Sequence, residues 1–159
     1  PLAESGVHLK LYREYLLKPK AAKALVVHKL MDTNVAILKM FPGLNQTVVK
    51  SVLDIPNLKA LVLETYGAGN APTDEWLINE LKNAISKGLQ IVNVTQCSGG
   101  SVILGRYATS DALQKMQIIN GKDITTEAAI SKLMYLLGSG VSPKLFKTIF
   151  ETSLRGEMQ

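Results

Sequence analysis

Three short apolar runs form the most regular pattern in the chain. They cover residues 34–41 (NVAILKMF), 58–65 (LKALVLET) and 89–95 (LQIVNVT), and each is rich in β-branched and aliphatic side chains. Near-continuous apolar runs of this length are typical of strands that are covered on both faces, as in a parallel sheet. The runs therefore predict three buried, parallel strands.

Segments with apolar residues at helical spacing lie between and after these runs. In residues 73–88 the apolar positions recur every three or four residues and predict one buried helix face. The predicted helices lie within residues 45–57, 73–88, 110–116, 124–140 and 142–158. Strands that alternate with helices at this spacing indicate βαβ units, so the sequence predicts an α/β fold.

Residue types at the ends of the apolar segments predict where four of the helices begin. Candidate N-caps are Thr73, Ser110, Thr125 or Thr126, and Ser142, because a side-chain oxygen can accept from the first free N–H groups of a helix. Pro143 would then take the first helical position, where its missing N–H costs nothing.

Two glycine-rich segments follow the second and third runs. They are YGAGNAP (66–72) and TQCSGGSVILGRY (95–107). Ligands of open parallel sheets bind in loops at the carboxyl ends of the strands, so both segments are expected at one ligand-binding edge. The first lacks the third glycine of the dinucleotide fingerprint, because Pro72 stands in its place, followed by Thr73. Asn70 is either a turn residue bonded to its own backbone or an amide directed at a ligand.

Composition and charge exclude several classes of protein. The 159 residues suffice for one domain with a real core, and no apolar run approaches the ~20 residues that cross a bilayer, so no membrane partner is expected. The net charge is +5; basic residues concentrate in residues 10–29 and are scattered elsewhere. Because they lack the interleaved aromatic residues that stack on bases, residues 10–29 are interpreted as a solvated basic segment and no nucleic-acid partner is expected. Cys97, His8 and His28 lack partners at ligand spacing, so no metal site is expected.

The sequence holds no complete set of catalytic residues. It has no Ser-His-Asp order and no paired carboxylates after the strand ends, and neither histidine has an obvious path to Cys97. A single cysteine cannot form an intrachain disulfide, which fits a reducing compartment such as the cytoplasm. The residues alone thus indicate an α/β domain with a ligand-competent edge.

Several motifs in the same order resemble the C-terminal domain of type I, cytoplasmic L-asparaginases. They are YGAGNAP, GLQIVNVTQCSGGSV, GRYATSDAL, ISKLMYLLG and LRGEM, and the likeness runs from about Val35 to Gln159. The resemblance implies a three-layer α/β/α domain with a small, mostly parallel four-stranded sheet over residues 34–159. Residues 1–33 would be a linker from a preceding domain, although residues 7–13 also fit a strand.

The resemblance implies a hydrolase that converts L-asparagine to L-aspartate and ammonia without a cofactor. In that family the threonine nucleophile and its partners stand in motifs of an N-terminal domain, and the sequences DTN at 32–34 and TDE at 73–75 do not replace them. This chain is therefore expected to hold no catalytic residue and to be inactive alone. Its expected partners are L-asparagine, the preceding domain of the same chain, and further copies in a homodimer or homotetramer.

The resemblance also assigns roles to residues of the two loops. Asn70 matches an asparagine that reaches across a dimer and helps to line the partner's active site, and Tyr66 and Gly69 shape its loop. Thr95 and Cys97 match a regulatory asparagine site of some bacterial type I enzymes. Glu64 stands where those enzymes have a basic residue, and its carboxylate would repel the carboxylate of the effector.

Two other functions remain open at this point. The chain could belong to the asparaginase-like subunit of a tRNA-dependent amidotransferase. A stable partner subunit or tRNA binding would favour this alternative. It could also be a stand-alone domain that binds a small molecule with the same glycine-rich edge and performs no catalysis.

Overall fold

The computed structural model describes residues 2–16, 24–105 and 108–159, with only the backbone for residues 108–110. In chain order the strands are β1 (Ala3–Ser5), β2 (Leu9–Leu11), β3 (Val35–Lys39), β4 (Ala60–Thr65), β5 (Gln90–Thr95) and β6 (Ile119–Asn120). The helices are α1 (Gln46–Leu53), α2 (Glu75–Ser86), α3 (Ala108–Lys115), α4 (Thr126–Gly138) and α5 (Pro143–Phe150), and a short 3-10 turn spans Arg13–Tyr15.

A four-stranded parallel sheet with the order β3-β4-β5-β6 lies at the centre of the fold. The three apolar runs form β3, β4 and β5, which confirms three parallel strands. The prediction that all three are buried is wrong for β3, because it lies at the edge of the sheet and its residues Ile37 and Lys39 are exposed. The fourth strand has only two residues, Ile119 and Asn120, and a run so short carries no periodic pattern. The central pair β4 and β5 is paired along its whole length, from Ala60 beside Gln90 to Thr65 beside Thr95.

Helices cover both faces of the sheet and give the expected three-layer α/β/α arrangement. Alternating side chains of β4 enter two separate apolar clusters, because successive residues of a strand point to opposite faces. Leu61 and Leu63 pack in the cluster that includes α1 and α2, whereas Ala60 and Val62 pack in the cluster that includes α4 and α5. This burial on both faces explains why the runs read as continuous apolar segments.

The structure confirms two of the predicted helix starts and corrects two. Helix α3 begins at Ala108, so Ser110 lies within it and does not precede it. Thr125 caps α4, and its hydroxyl oxygen accepts from the N–H of Ala128 at 3.2 Å. Ser142 precedes α5, whose first residue is Pro143. Thr73 does not cap α2: the helix begins at Glu75, and the N-cap position belongs to the next residue along, Asp74.

The N-terminal segment does not join the sheet. Strands β1 and β2 pair antiparallel as a small hairpin whose residues are all exposed. Strand β2 lies within residues 7–13, for which a strand was one of the two predictions. Of the described residues before β3, 24–31 are exposed and form no helix or strand. No helix in the described part of the chain is both long and apolar enough to cross a bilayer.

Candidate functional site

Both glycine-rich segments lie at the carboxyl edge of the sheet, as predicted. Strand β4 ends at Thr65 and β5 ends at Thr95, and these two residues are paired neighbours. The segments that follow them therefore begin side by side. Arg106 and Tyr107, at the end of the second segment, lie outside the described residues.

Residues 66–70 form a tight turn, which we call the Asn70 turn. The backbone N–H of Tyr66 donates to the carbonyl of Asn70 at 2.9 Å, and the N–H of Asn70 donates back at 2.8 Å. Gly67 and Gly69 have φ angles of +50° and +96°, in the left-handed region that glycine adopts without a Cβ penalty. The structure thus brings together Tyr66, Gly69 and Asn70, the three residues predicted to bind substrate.

Three consecutive carbonyl groups of the Asn70 turn accept hydrogen bonds from outside the turn. The Thr95 hydroxyl donates to the carbonyl of Gly67 at 2.5 Å, and the backbone N–H of Ile103 donates to that of Ala68 at 2.9 Å. The side-chain amide of Asn93 donates to the carbonyl of Gly69 at 3.0 Å. All three donors belong to the end of β5 and the segment after it, so that region holds the turn in place.

A buried polar pair lies directly beneath the turn. Thr65 and Asn93 are fully buried, and the Thr65 hydroxyl donates to Oδ1 of Asn93 at 2.6 Å. Neither residue was predicted to belong to the site. The available signal was weak: Asn93 is a polar residue between Val92 and Val94, and buried polar groups in a strand need specific partners.

Thr95 links the Asn70 turn to the segment that holds Cys97. Its hydroxyl donates to Gly67 and also accepts from the backbone N–H of Cys97 at 3.0 Å. The carbonyl of Cys97 accepts from the N–H of Gly100 at 2.9 Å, which closes the turn. Cys97 is a free, exposed cysteine. Thr95 and Cys97 therefore lie together, next to the Asn70 turn.

Glu64 lies on the other face of the sheet from Thr95. It precedes Thr65, and Thr65 is the residue paired with Thr95, so strand alternation separates the two side chains. The Glu64 carboxylate accepts from the hydroxyl of Thr126 at 2.5 Å and lies 3.6 Å from the ammonium of Lys39. Because α4 begins at Thr126, its N-terminal dipole favours this carboxylate. Within one chain the structure does not join Glu64 to the other two residues of the candidate regulatory site.

The acidic residue of the DTN sequence lies at the opposite end of the sheet. Asp32 precedes β3, and its carboxylate accepts from the ammonium of Lys59 at 2.6 Å and from the backbone N–H of Asn34 at 3.0 Å. These two contacts hold the pKa of Asp32 at about 2. Asp32 is thus a structural ion-pair partner far from the loops. Across the described ranges, no group of three or more metal-ligating side chains is present.

The comparison with known protein families identifies the domain. The profile of the Glutaminase/Asparaginase C-terminal domain matches residues 34–150. The chain belongs to this family. The match covers the whole parallel sheet and helices α1 to α5, and it leaves out the β1–β2 hairpin.

Curated relatives of this asparaginase-family domain carry more than one name. L-asparaginase 1 of Escherichia coli (strain K12) is 36% identical over 99% of this chain and 46% of its own length. The 60 kDa lysophospholipase of Homo sapiens is 41% identical over 99% of this chain and 27% of its own length. The chain therefore spans about half the length of the first of these relatives and less of the second.

A solved structure shows the same architecture. The crystal structure of L-asparaginase I from Vibrio cholerae superposes with a TM-score of 0.87 at 36% identity. The match covers 100% of this chain and 48% of that chain. The expected α/β/α fold and its likeness to the asparaginase C-terminal domain are both confirmed.

The chain is also similar to a component of a tRNA-dependent amidotransferase. One component of the glutamyl-tRNA(Gln) amidotransferase of Pyrococcus furiosus is 32% identical over 80% of this chain and 28% of its own length. The L-asparaginases of Escherichia coli and Vibrio cholerae match a larger share of this asparaginase-family domain at higher identity. The likeness to L-asparaginases is therefore more extensive than the likeness to the amidotransferase component.

Proposed function

We propose that this domain is the C-terminal part of an enzyme that hydrolyses L-asparagine to L-aspartate and ammonia. The observation that carries the proposal is the likeness to L-asparaginases over 99% of the chain, together with an Asn70 turn that is fixed at the ligand-binding edge. The nucleophilic threonine would come from the N-terminal domain that precedes this one in the full-length enzyme. This chain would contribute no catalytic residue, and the reaction would need no cofactor. The enzyme would act in the cytoplasm, where a free cysteine such as Cys97 is stable.

We assign Asn70 to substrate binding in the active site of a second subunit. An amide suits this task, because it donates and accepts hydrogen bonds and L-asparagine offers both kinds of partner. Tyr66 and Gly69 would act by fixing the turn through their backbone bonds. The protein would accordingly work as a homodimer or as a homotetramer built from such dimers.

We expect no cooperative control by L-asparagine at the site of Thr95 and Cys97. The Glu64 carboxylate would repel the effector if a second subunit brought it to that site, and Lys39 at 3.6 Å offsets its charge only in part. The rate of the enzyme should therefore rise hyperbolically with L-asparagine concentration. A sigmoidal curve that Cys97→Ala makes hyperbolic would overturn this expectation and restore Thr95, Cys97 and Glu64 as a regulatory site.

Ammonia release from L-asparagine tests the proposed function. Three proteins are compared: the 159-residue chain, the chain extended upstream through its preceding domain, and the extended Asn70→Ala variant. Activity confined to the extended wild type, and reduced about tenfold or more by Asn70→Ala, is the expected result for a lost positioning contact.

Parallel assays separate the other functions. L-glutamine measures substrate preference, and a lysophosphatidylcholine substrate tests the activity named for the human relative. A well-folded extended chain without asparaginase activity would contradict the proposal. Release of ammonia that requires tRNA and a separate partner protein would favour the amidotransferase. Activity in the 159-residue chain would reveal a nucleophile within it.

A further inference from the structure

We infer that Asn93 is a positioning residue for Asn70, with Thr65 fixing the orientation of the Asn93 amide. The inference rests on the proposed function for its kinetic consequence, but its structural basis lies within this chain. Asn93 does not belong to the Asn70 turn and lies 24 residues away from Gly69 in sequence. It nevertheless supplies the side-chain bond to the carbonyl that immediately precedes Asn70.

The Gly69 carbonyl sets the orientation of the Asn93 amide, and the Thr65 hydroxyl stabilises it. The Gly69 carbonyl can only accept, so the nitrogen of the amide must face it at 3.0 Å. The oxygen then faces the Thr65 hydroxyl, which donates to it at 2.6 Å. A hydroxyl has one proton, and the alternative acceptor, the carbonyl of Val94, is farther away at 3.2 Å. Thr65 therefore stabilises the amide orientation that holds the turn, because its shorter bond goes to the amide oxygen.

The burial of this chain of bonds makes it difficult to replace by water. Thr65 and Asn93 are fully buried, and Val102, which packs beside Gly69, is 3% exposed. A Cβ on Gly69 would lie 2.6 Å from Val102 and 3.1 Å from the Asn93 amide, so the turn rests directly on both side chains. Without the amide, the Gly69 carbonyl would lose its partner in a dry environment, and the turn would have to shift to hydrate it.

A shift of the Gly69 carbonyl would also move Asn70. One peptide unit joins the Gly69 carbonyl to the Asn70 nitrogen, and that nitrogen donates to Tyr66 within the turn. Because the peptide unit is planar, a rotation of the Gly69 carbonyl also turns the N–H of Asn70. Small displacements of a substrate-binding group cost large factors in rate, so the buried pair would set the efficiency of the site from a distance.

Amide hydrogen exchange of Asn70 in the 159-residue chain tests the structural part. We expect Asn93→Leu and Thr65→Val to speed the exchange of the Asn70 backbone N–H by about tenfold or more, since each leaves a buried polar group unpaired. Thr65→Ser keeps the hydroxyl and should exchange like the wild type. Val92→Ala is the matched control, because Val92 is fully buried on the other face of the sheet, and its loss of stability does not involve the turn.

Kinetics of the extended enzyme tests the functional part. Asn93→Leu should lower kcat/KM for L-asparagine about tenfold, and adding it to Asn70→Ala should cause little further loss, because both changes remove the same positioned group. Losses that multiply in the double variant would overturn the inference, as would exchange rates of Asn70 that are the same in Asn93→Leu and Val92→Ala. If Asn93→Leu fails to fold, the Asn70 exchange rates of Thr65→Val and Thr65→Ser are compared instead, and equal rates would overturn the inference.

The two parts fail separately. An extended wild type that releases no ammonia from L-asparagine would refute the proposed function, while the exchange rates would still decide whether Asn93 positions the turn. An active enzyme in which Asn93→Leu leaves both the Asn70 exchange rate and kcat/KM unchanged would refute only the positioning role.

Discussion

Single residues of the Asn70 turn have separate physical tasks. Gly67 and Gly69 both adopt positive φ angles, but only Gly69 also lies against buried side chains. A Cβ on Gly67 would find its nearest neighbour, the amide nitrogen of Asn70, at an ordinary distance of 3.8 Å. The two glycines are therefore a matched pair that separates backbone strain from steric conflict.

We predict that Gly69→Ala destabilises the protein more than Gly67→Ala. Gly67→Ala should cost about 1 kcal/mol, because its φ lies in the left-handed region that other residues adopt at moderate cost. Gly69→Ala should cost about 2–4 kcal/mol, because its new Cβ also overlaps Val102. Urea unfolding of both variants measures the difference, and equal midpoints would contradict the assignment of Gly69 as the packed residue.

The sequence located the residues of the turn but not what holds them. Glycine spacing and the position after a strand placed Tyr66, Gly69 and Asn70 at the carboxyl edge of the sheet, since local patterns determine turns. The bond from Asn93 to Gly69 joins residues 24 positions apart, and no local pattern encodes such a contact. The same limit applies to Glu64, whose pairing with Thr126 spans 62 positions.

Helix ends illustrate at the scale of elements how capping chemistry fixes boundaries. Thr125 and Ser142 both occupy N-cap positions, but only Thr125 makes a side-chain bond to its helix. The sequence predicted Ser142, and it predicted Thr125 or Thr126 for α4, because small hydroxyl residues and a following proline favour helix starts. It placed the N-cap of α2 one residue too early, at Thr73 instead of Asp74. Both residues are favourable at an N-cap, so residue type alone does not distinguish them.

Removing each capping side chain should have unequal effects. Thr125→Ala should lower the free energy of unfolding by about 1 kcal/mol, because the N–H of Ala128 loses its acceptor. Ser142→Ala should change it by only a few tenths, roughly within ±0.5 kcal/mol, because no bond is lost. Thermal unfolding of the two variants in the same buffer tests the pair, and a larger loss for Ser142→Ala would refute this account of the caps.

At the scale of the whole molecule, an ion pair ties the C-terminal segment to α4. The ammonium of Lys132, which is 6% exposed, donates to a carboxylate oxygen of Glu157 at 2.5 Å and to the carbonyl of Thr152 at 2.7 Å. Burial by itself would raise the pKa of Glu157. Hydrogen bonds from the N–H groups of Leu154 and Arg155 and from the Lys132 ammonium outweigh this effect and lower the pKa to about 2. The segment after α5 is thereby fixed against the sheet layer that contains Val92 and Val94.

This ion pair predicts a defined pH dependence of stability. Glu157 has an ordinary pKa of 4.5 and a lowered pKa in the folded chain, so its contribution is complete above pH 4.5 and is lost as the pH falls toward 2. Glu157→Gln should therefore cost about 2 kcal/mol at pH 6, since solvent screens part of the interaction, and much less near pH 2. Urea unfolding of wild type and variant at both pH values provides the test, and a cost that does not change with pH would contradict the assignment.

The overall architecture followed from the sequence more completely than the site did. Apolar runs determine the parallel strands, so β3, β4 and β5 were identified, although only β4 and β5 are buried along most of their length. Strand β6 was not located, because two residues carry no period. The assembly of subunits depends on surfaces of at least two chains, and one sequence pattern does not encode their contact.

We propose that Asn70 of one subunit completes the active site of another. The activity of mixed dimers tests this proposal. Extended protein with Asn70→Ala is mixed with extended protein whose nucleophilic threonine in the preceding domain is replaced, and the subunits are exchanged. Each mixed dimer then has one site with both groups intact, so asparaginase activity should rise to about a quarter of the wild-type value for random exchange between two-fold dimers. Activity that stays at the level of the separate variants after verified subunit exchange would contradict the claim.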